Sequence, residues 1–327
     1  MYPFIFKPLP KARVWGGRAL STRKGFLEKE PVGESWEICD YAADVSVIAN
    51  GSMAGQSLRE VFRANTAALV GRGLDLASPE RFPLMLKLLD AQDVLSVQVH
   101  PDDAYAGRQK AGELGKTEAW YILEAAPGAF IYHGLRTGVD RAAIERHVAA
   151  GTLEECLVKV TVTPGDVYHI PSGMVHALGS GVRMAEIQQN SDTTYRLYDW
   201  NRRGLDGKPR ALHVDDSLAV IDFAAAGGQA QAATRLSTAG ACHERFIRCD
   251  KFVFERLRAF VGPVSLNTGG DSFHIISMAA GTAAVSANGV TAELGAWECC
   301  LVPAACGAYR IAAGASAEAL VFHVPAR

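Results

Sequence analysis

The stretch GDVYHIPSGMVHALGSG, residues 165–181, decides how the rest of the chain is read. Gly165, Pro171 and Gly173 interrupt it, yet Val167 to Ile170 fit a short strand and Val175-His176-Ala177 a return strand. Gly165-Asp166, following a proline, supplies one turn, and Pro171-Ser172-Gly173 supplies another. Written as a spacing, the segment is G-x5-P-x-G-x2-H. The bends aim His176 toward the face opposite its apolar neighbours.

A lone histidine so placed is more often an ordinary core residue than a ligand, so its partners decide. In VLSVQVH, residues 94–100, Ser96, Gln98 and His100 share one face while Leu95, Val97 and Val99 share the other, the signature of a half-buried strand. Further on, Gly115-Lys116-Thr117-Glu118-Ala119-Trp120 brings a carboxylate to the start of another strand. His100, His176, Glu118 and the side-chain amide of Gln98 form a nitrogen and oxygen donor set suited to zinc or another borderline divalent ion.

Composition bounds the function. The chain has 327 residues, 49% hydrophobic and 21% charged, enough for two modest cores or one large one. Net charge is -2 with both signs interspersed, so no broad field exists to attract nucleic acid or an anionic membrane, and a small-molecule ligand is expected. The opening MYPFIFKPLPKARVWGG is broken by charges and prolines and never develops a signal-peptide core. No segment is apolar for long enough to span a bilayer as a helix. The seven cysteines are odd in number and form no CxxC pair, which argues against a disulfide framework or a thiolate zinc knuckle and predicts free thiols in a reducing cytoplasm.

Short apolar runs cut by glycine, proline and aspartate dominate. AWYIL (119–123) and AFIYHG (129–134) are expected to be strands joined through APG, with VRMAEIQQ and TTYRLYDW as another pair. Helices are expected near SLREVFRAN at 57, from VDRAAIERHVAAG at 139 and from LHVDDSLAVIDF at 212. Residues 224–241, poor in large apolar side chains, have the composition of a linker. Beyond it, strands and turns resume, with Asn288-Gly289 a hairpin turn. Here GAWECCLVPAACGAY has glycine and proline turns but no histidine. These features predict a metal-binding catalytic domain over 1–230, with helical insertions, and a smaller β domain over 240–327 without metal ligands.

The spacing that ends on His176 resembles the second metal-binding motif of the cupin superfamily, small β-barrels that hold such a histidine inside. FPLMLKLLDAQDVLSVQVHPDDAYA (82–106), GELGKTEAWYIL (112–123), the 165–181 segment and AEIQQNSDTTYRLYDWNR (185–202) together resemble the type I mannose-6-phosphate isomerase family in its short bacterial form. VGESWEI (32–38) and RALHVDDSLAVIDF (210–223) extend the match over most of residues 1–223. The resemblance implies a mainly β fold of two cupin-like β-barrel (jelly-roll) domains with a few inserted helices. It implies a zinc-dependent aldose-ketose isomerase that interconverts mannose 6-phosphate and fructose 6-phosphate and carries one Zn2+ per chain.

Carried over by position, the family's zinc ligands fall on Gln98, His100, Glu118 and His176. Its essential arginine falls on Arg196, active-site lysines on Lys87 and Lys116, and a residue near the phosphate end on Ser96. Two departures from the wider cupin pattern stand out. Gln98 occupies the place of a first histidine, and the interval from His100 to Glu118 is long, which an inserted helical segment around 104–114 would explain.

The residue types suit the chemistry. Moving a carbonyl between adjacent carbons passes through an enediolate whose charge a Lewis-acidic ion and a fixed arginine can stabilise. Lys87 and Lys116 fit either a phosphate anchor or a proton shuttle with a depressed pKa, anchoring being favoured for Lys87, and a metal-bound water is a third base. Two rivals are a cupin iron(II) oxygenase and a non-enzymatic phosphosugar-binding bicupin; the lysines and Arg196 disfavour the first, and only turnover separates the second. His133, His147 and His169 are expected at the rim or surface, Trp36 and Trp120 in packing, and Asp102 and Asp103 in a turn.

Overall fold

The alternation in VLSVQVH is realised in strand Val97–Val99, where Val97 and Val99 are buried on one face while Gln98 projects from the other. This computed structural model describes residues 1–72, 74 and 80–326, and strands dominate it. Among the described residues, no helix is long and apolar enough to cross a membrane.

The chain divides into two compact units that are interleaved in sequence: Pro10–Trp36 with Met85–Ala230, and Met1–Leu9 and Glu37–Leu84 with Gln231–Arg327. Residues 37–84, grouped by the sequence with 85–230, therefore cluster with the C-terminal strands.

In the unit containing 85–230, a six-stranded sheet has the order Leu9–Gly17, Val32–Ile38, Leu84–Ala91, Val182–Gln189, Glu118–Ala125, Val167–Ile170. A five-stranded sheet runs Tyr195–Tyr198, Val97–Val99, His176–Leu178, Phe130–Leu135, Leu157–Thr161. Trp15, Leu89, Trp120, Tyr168 and Met184 from the first sheet form one core with Ile131 and Leu178 from the second, so the sheets pack face to face. The outer face of the five-stranded sheet is covered by helices Arg141–Ala150 and Val214–Val220, whose Ile144 and Leu218 join Val97, Val99 and Ala177. Helix Arg141–Ala150 starts where Asp140 accepts from the Ala143 amide and stops at left-handed Gly151.

Strands 118–125 and 130–135 are not a hairpin pair. The first pairs with 167–170 and 182–189, the second with 157–161 and 176–178. The APG connection carries the chain from one sheet to the other, and the same holds between 182–189 and 195–198. Both members of each pair have an apolar face, and period-two patterning cannot distinguish a neighbour in the sheet from a partner across the core.

The other unit repeats the two-sheet plan with a six-stranded sheet, a four-stranded sheet and an intersheet core that includes Leu257, Ile276, Val285, Tyr309 and Val321. Asn288 and Gly289 both have positive φ (51° and 77°) in the tight turn between Ala283–Ala287 and Val290–Leu294. Ser57 and Glu60 close a capping box on helix Leu58–Ala64.

Candidate active site

Gly165 and Gly173 adopt left-handed φ of 95° and 88°, as the two turns of the 165–181 segment require. His176 is completely buried, opposite Gln98 in the register, and Gln98 in turn lies opposite Arg196 on the neighbouring strand. Paired residues project from the same face. Arg196, Gln98 and His176 therefore form one row on the inner face of the five-stranded sheet.

The facing sheet supplies Glu118, Trp120, Lys87 and Glu186. Glu186 lies opposite Trp120 and Gln188 opposite Glu118, all on the inner face with Met184. The long interval between His100 and Glu118 contains helix Asp103–Gln109, started by Asp102, whose side chain accepts from the Tyr105 amide. The Pro101 carbonyl accepts from the Lys116 amide and closes that excursion.

His100, Glu118 and His176 offer ligand atoms that all lie within 4.8 Å of one another. Glu118 Oε1 is 3.3 Å from His176 Nε2, and Oε2 is 3.5 Å from His100 Nε2. Each imidazole is anchored through Nδ1, His100 on the Thr193 carbonyl at 3.0 Å and His176 on the Met174 carbonyl at 2.9 Å. That is the outer-sphere arrangement that fixes the tautomer of a metal-ligating histidine and turns Nε2 inward. The Gln98 amide is 3.2 Å from His176 Nε2, and a half-turn of the amide presents its oxygen to the cluster.

Burial holds both imidazoles neutral: His176 is lowered to about 3 by burial despite its carbonyl partner, and His100 lies well below its ordinary value through burial and then the Lys116 ammonium. Neutral imidazole is the ligating form. Glu118 Oε2, fully buried, has no aligned hydrogen bond, although Lys116 Nζ approaches it at 2.8 Å. A buried carboxylate so placed, with one oxygen toward each of two imidazole Nε2 atoms, fits a divalent cation.

A cleft of about 580 Å³ is lined by Lys87, Ser96, Gln98, Lys116, Trp120, Glu186 and Arg196, and Gln98 and Lys116 connect it to the cluster. Lys87, Ser96, Gln98, Lys116 and Arg196, expected in the site, line the cleft, and His100, Glu118 and His176 form the adjoining group. Lys87 is buried 3.5 Å from Asp192 and 3.7 Å from Glu186. Burial alone would lower its pKa, but Asp192, Glu34 and Glu186 outweigh that and raise it, so Lys87 stays an ammonium. Arg196 bonds the Ala211 carbonyl through Nη1, while its buried Nε has no partner.

Three features were not legible beforehand. Glu186 is buried, and burial followed by the charge of Glu118 raises its pKa to about 7, against the opposing pull of Lys116 and Lys87. Trp120 is more than packing: its indole N–H lies between Glu118 and Glu186. His133, expected at the rim or surface, is buried, and its ring nitrogens meet the His169 carbonyl and the Gly228 amide. His169 itself alternates with Tyr168 and Ile170 of the intersheet core and so faces away from it.

Residues 7–121 match the model of the type I phosphomannose isomerase catalytic domain. Mannose-6-phosphate isomerase ManA of Bacillus subtilis is 42% identical over 220 residues, 67% of this chain and 68% of that protein. A mannose-6-phosphate isomerase of Streptococcus mutans is 40% identical over 220 residues, 67% of each. The crystal structure of the mannose 6-phosphate isomerase from Bacillus subtilis superposes with a TM-score of 0.89 at 32% identity, covering 99% of this chain and 100% of that one. With a metal-fitting cluster beside a polar cleft and relatives of this similarity over two thirds of their length, the chain belongs to the type I phosphomannose isomerase family.

Proposed function

We propose that this chain interconverts mannose 6-phosphate and fructose 6-phosphate, with zinc held by Gln98, His100, Glu118 and His176. The observation that carries the reading is the buried His100, Glu118, His176 cluster, joined through Gln98 and Lys116 to a cleft that also holds Arg196 and Glu186. Zinc held there would supply Lewis acidity to the isomerisation.

The chain's own residues do the rest. Glu186, which lines the cleft and is bridged to Glu118 by the Trp120 indole, is placed to take a proton from one carbon and return it to the next. Arg196, a lining residue of the cleft fixed through Nη1 on the Ala211 carbonyl, supplies a preorganised positive charge for the enediolate oxygens. Lys116, beside His100 and Glu118, adds a second charge at the same point and serves as a catalytic group. Lys87, kept charged by its carboxylate neighbours, acts with Ser96 as an anchor for the substrate's phosphate end and is unsuited to be a base.

The two-sheet units are read as cupin jelly rolls, with the catalytic domain built from residues up to about 230. Seven free cysteines are consistent with a reducing cytoplasm. The test is substrate range and metal content together. A dialysed sample should hold zinc and turn over mannose 6-phosphate far faster than free mannose, because phosphate binding energy holds the reacting carbons in position. Equal efficiency on both sugars would contradict the roles of Lys87 and Ser96.

A further inference from the structure

Strand Tyr195–Tyr198, which carries Arg196, stands at the edge of the five-stranded sheet. Residues of the RALHVDDSLAVIDF block, 210–223, run along its outer side. The His213 amide donates to the Arg196 carbonyl at 2.7 Å, and the Arg196 amide donates to His213 Nδ1 at 3.1 Å. Two residues earlier, the Ala211 carbonyl accepts from Arg196 Nη1 at 3.0 Å. The guanidinium is thus held by a backbone atom of segment 210–213, and its direction is only as fixed as that segment.

The segment is pinned at both ends. On its C-terminal side the chain enters helix Val214–Val220, which packs through Leu218. On its N-terminal side Arg210 donates to both oxygens of Asp199, through Nε to Oδ2 at 2.7 Å and through Nη2 to Oδ1. Asp199 directly follows the strand of Arg196, and its side chain is only 5% exposed, so the pair is bidentate, charge-assisted and largely withdrawn from solvent. Asp199 also accepts from Arg202 Nη2 at 2.8 Å, and Arg202 donates to the Val94 carbonyl, which ties the strand end to the approach of strand Val97–Val99. Burial and then the Arg210 charge weigh against the charged form of Arg196, and the Asp199 carboxylate offsets them in part.

We propose that Asp199 is a positioning residue for Arg196: by clamping Arg210 it fixes the Ala211 carbonyl on which the Arg196 guanidinium is held. This role rests on the reading of Arg196 as the charge-stabilising group. Arg196, Arg210 and His213 line the cleft and Asp199 does not, so the carboxylate acts from behind them and touches no substrate. A preorganised charge is effective only while its support keeps it in place, and a misplacement of about 1 Å can cost roughly 10²-fold in rate.

The test is a double-mutant cycle of Asp199→Asn and Arg196→Ala in the zinc-loaded full-length chain, read by kcat and KM for mannose 6-phosphate and by bound zinc. Asp199→Asn should lower kcat by roughly 10²-fold with KM and zinc content near wild type. Asp199→Glu, which keeps the charge on a longer stem, should recover part of the loss. In the Arg196→Ala background Asp199→Asn should cost no more than about twofold, since the group it positions is gone. Near-normal kcat in Asp199→Asn, zinc lost in step with kcat, or the same fold-loss with and without Arg196 overturns the proposal. Normal turnover in Arg196→Ala would overturn the charge-stabilising reading and the positioning role with it. A collapse in Arg196→Ala beside a normal Asp199→Asn overturns the positioning role alone. Should Asp199→Asn fail to fold, Arg210→Lys takes its place in the cycle, because an ammonium keeps the charge but breaks the bidentate pair, and the same results overturn the proposal.

Discussion

The indole N–H of Trp120 lies between two carboxylates, 3.1 Å from Glu118 Oε1 and 3.0 Å from Glu186 Oε2. It joins a candidate metal ligand to the candidate proton-transfer group, and both acceptors are buried. Trp120→Phe keeps most of the packing and removes the donor. Each buried oxygen left without it costs about 1–3 kcal/mol, and the two like charges face each other with nothing between them. The expected outcome is metal affinity lower by roughly 10–100-fold with the fold retained, as titration with zinc would reveal. Unchanged affinity would make the indole a packing group only.

Glu186→Gln separates proton transfer from metal binding. The amide keeps the size and can still accept from Trp120, but it cannot shuttle a proton. Turnover should fall by roughly 10²–10⁴-fold while bound metal and substrate affinity stay near wild type. Steady-state kinetics with metal analysis checks this. A near-normal turnover number would move the acid-base role to Lys116 or to a metal-bound water.

Arg196 tests charge stabilisation. Arg196→Ala should keep the fold and the metal yet lose roughly 10²–10³-fold in turnover, as loss of an oxyanion-stabilising donor does. Arg196→Lys should recover only part, since one ammonium cannot copy the planar fork of guanidinium. If the alanine variant lost zinc in step with activity, Arg196 would be structural.

Much of this site was legible in the chain because each ligand carries a local signal. Gln98 and His100 alternate with valines, Glu118 opens an apolar run, and His176 follows two turns. Glu186 carries no such signal. In VRMAEIQQ a glutamate on a strand looks like a solvated face, and what raises its pKa is burial and a carboxylate from a strand distant in sequence, matched only through the register with Trp120. The crossing of strands between sheets and the clustering of 37–84 with the C-terminal strands were hidden for the same reason: alternation reports that a face is buried, not against what.

Acid stability offers a test away from the cleft. Glu244, on the outer face of the C-terminal sheet, bonds Arg258 and Arg256, and these bonds outweigh burial and lower its pKa to about 2 from an ordinary 4.5. A carboxyl group depressed on folding contributes stability that is fully present above its unfolded pKa and lost as pH falls toward the folded one. The unfolding midpoint should therefore drop between pH 4.5 and 2, and Glu244→Gln should flatten that limb while lowering stability near neutrality. An acid limb identical in the variant would show that other carboxylates govern it.

The central claim is metal-dependent isomerisation at the His100, Glu118, His176 cluster. The most direct measurement follows fructose 6-phosphate incubated with the protein by NMR, before and after chelation and in His176→Ala. The account predicts that mannose 6-phosphate appears with the wild-type protein, that its formation stops on chelation and resumes with added zinc, and that His176→Ala neither holds zinc tightly nor forms the product. Failure of the zinc-loaded protein to form the isomer, or an undiminished rate in His176→Ala, would contradict it.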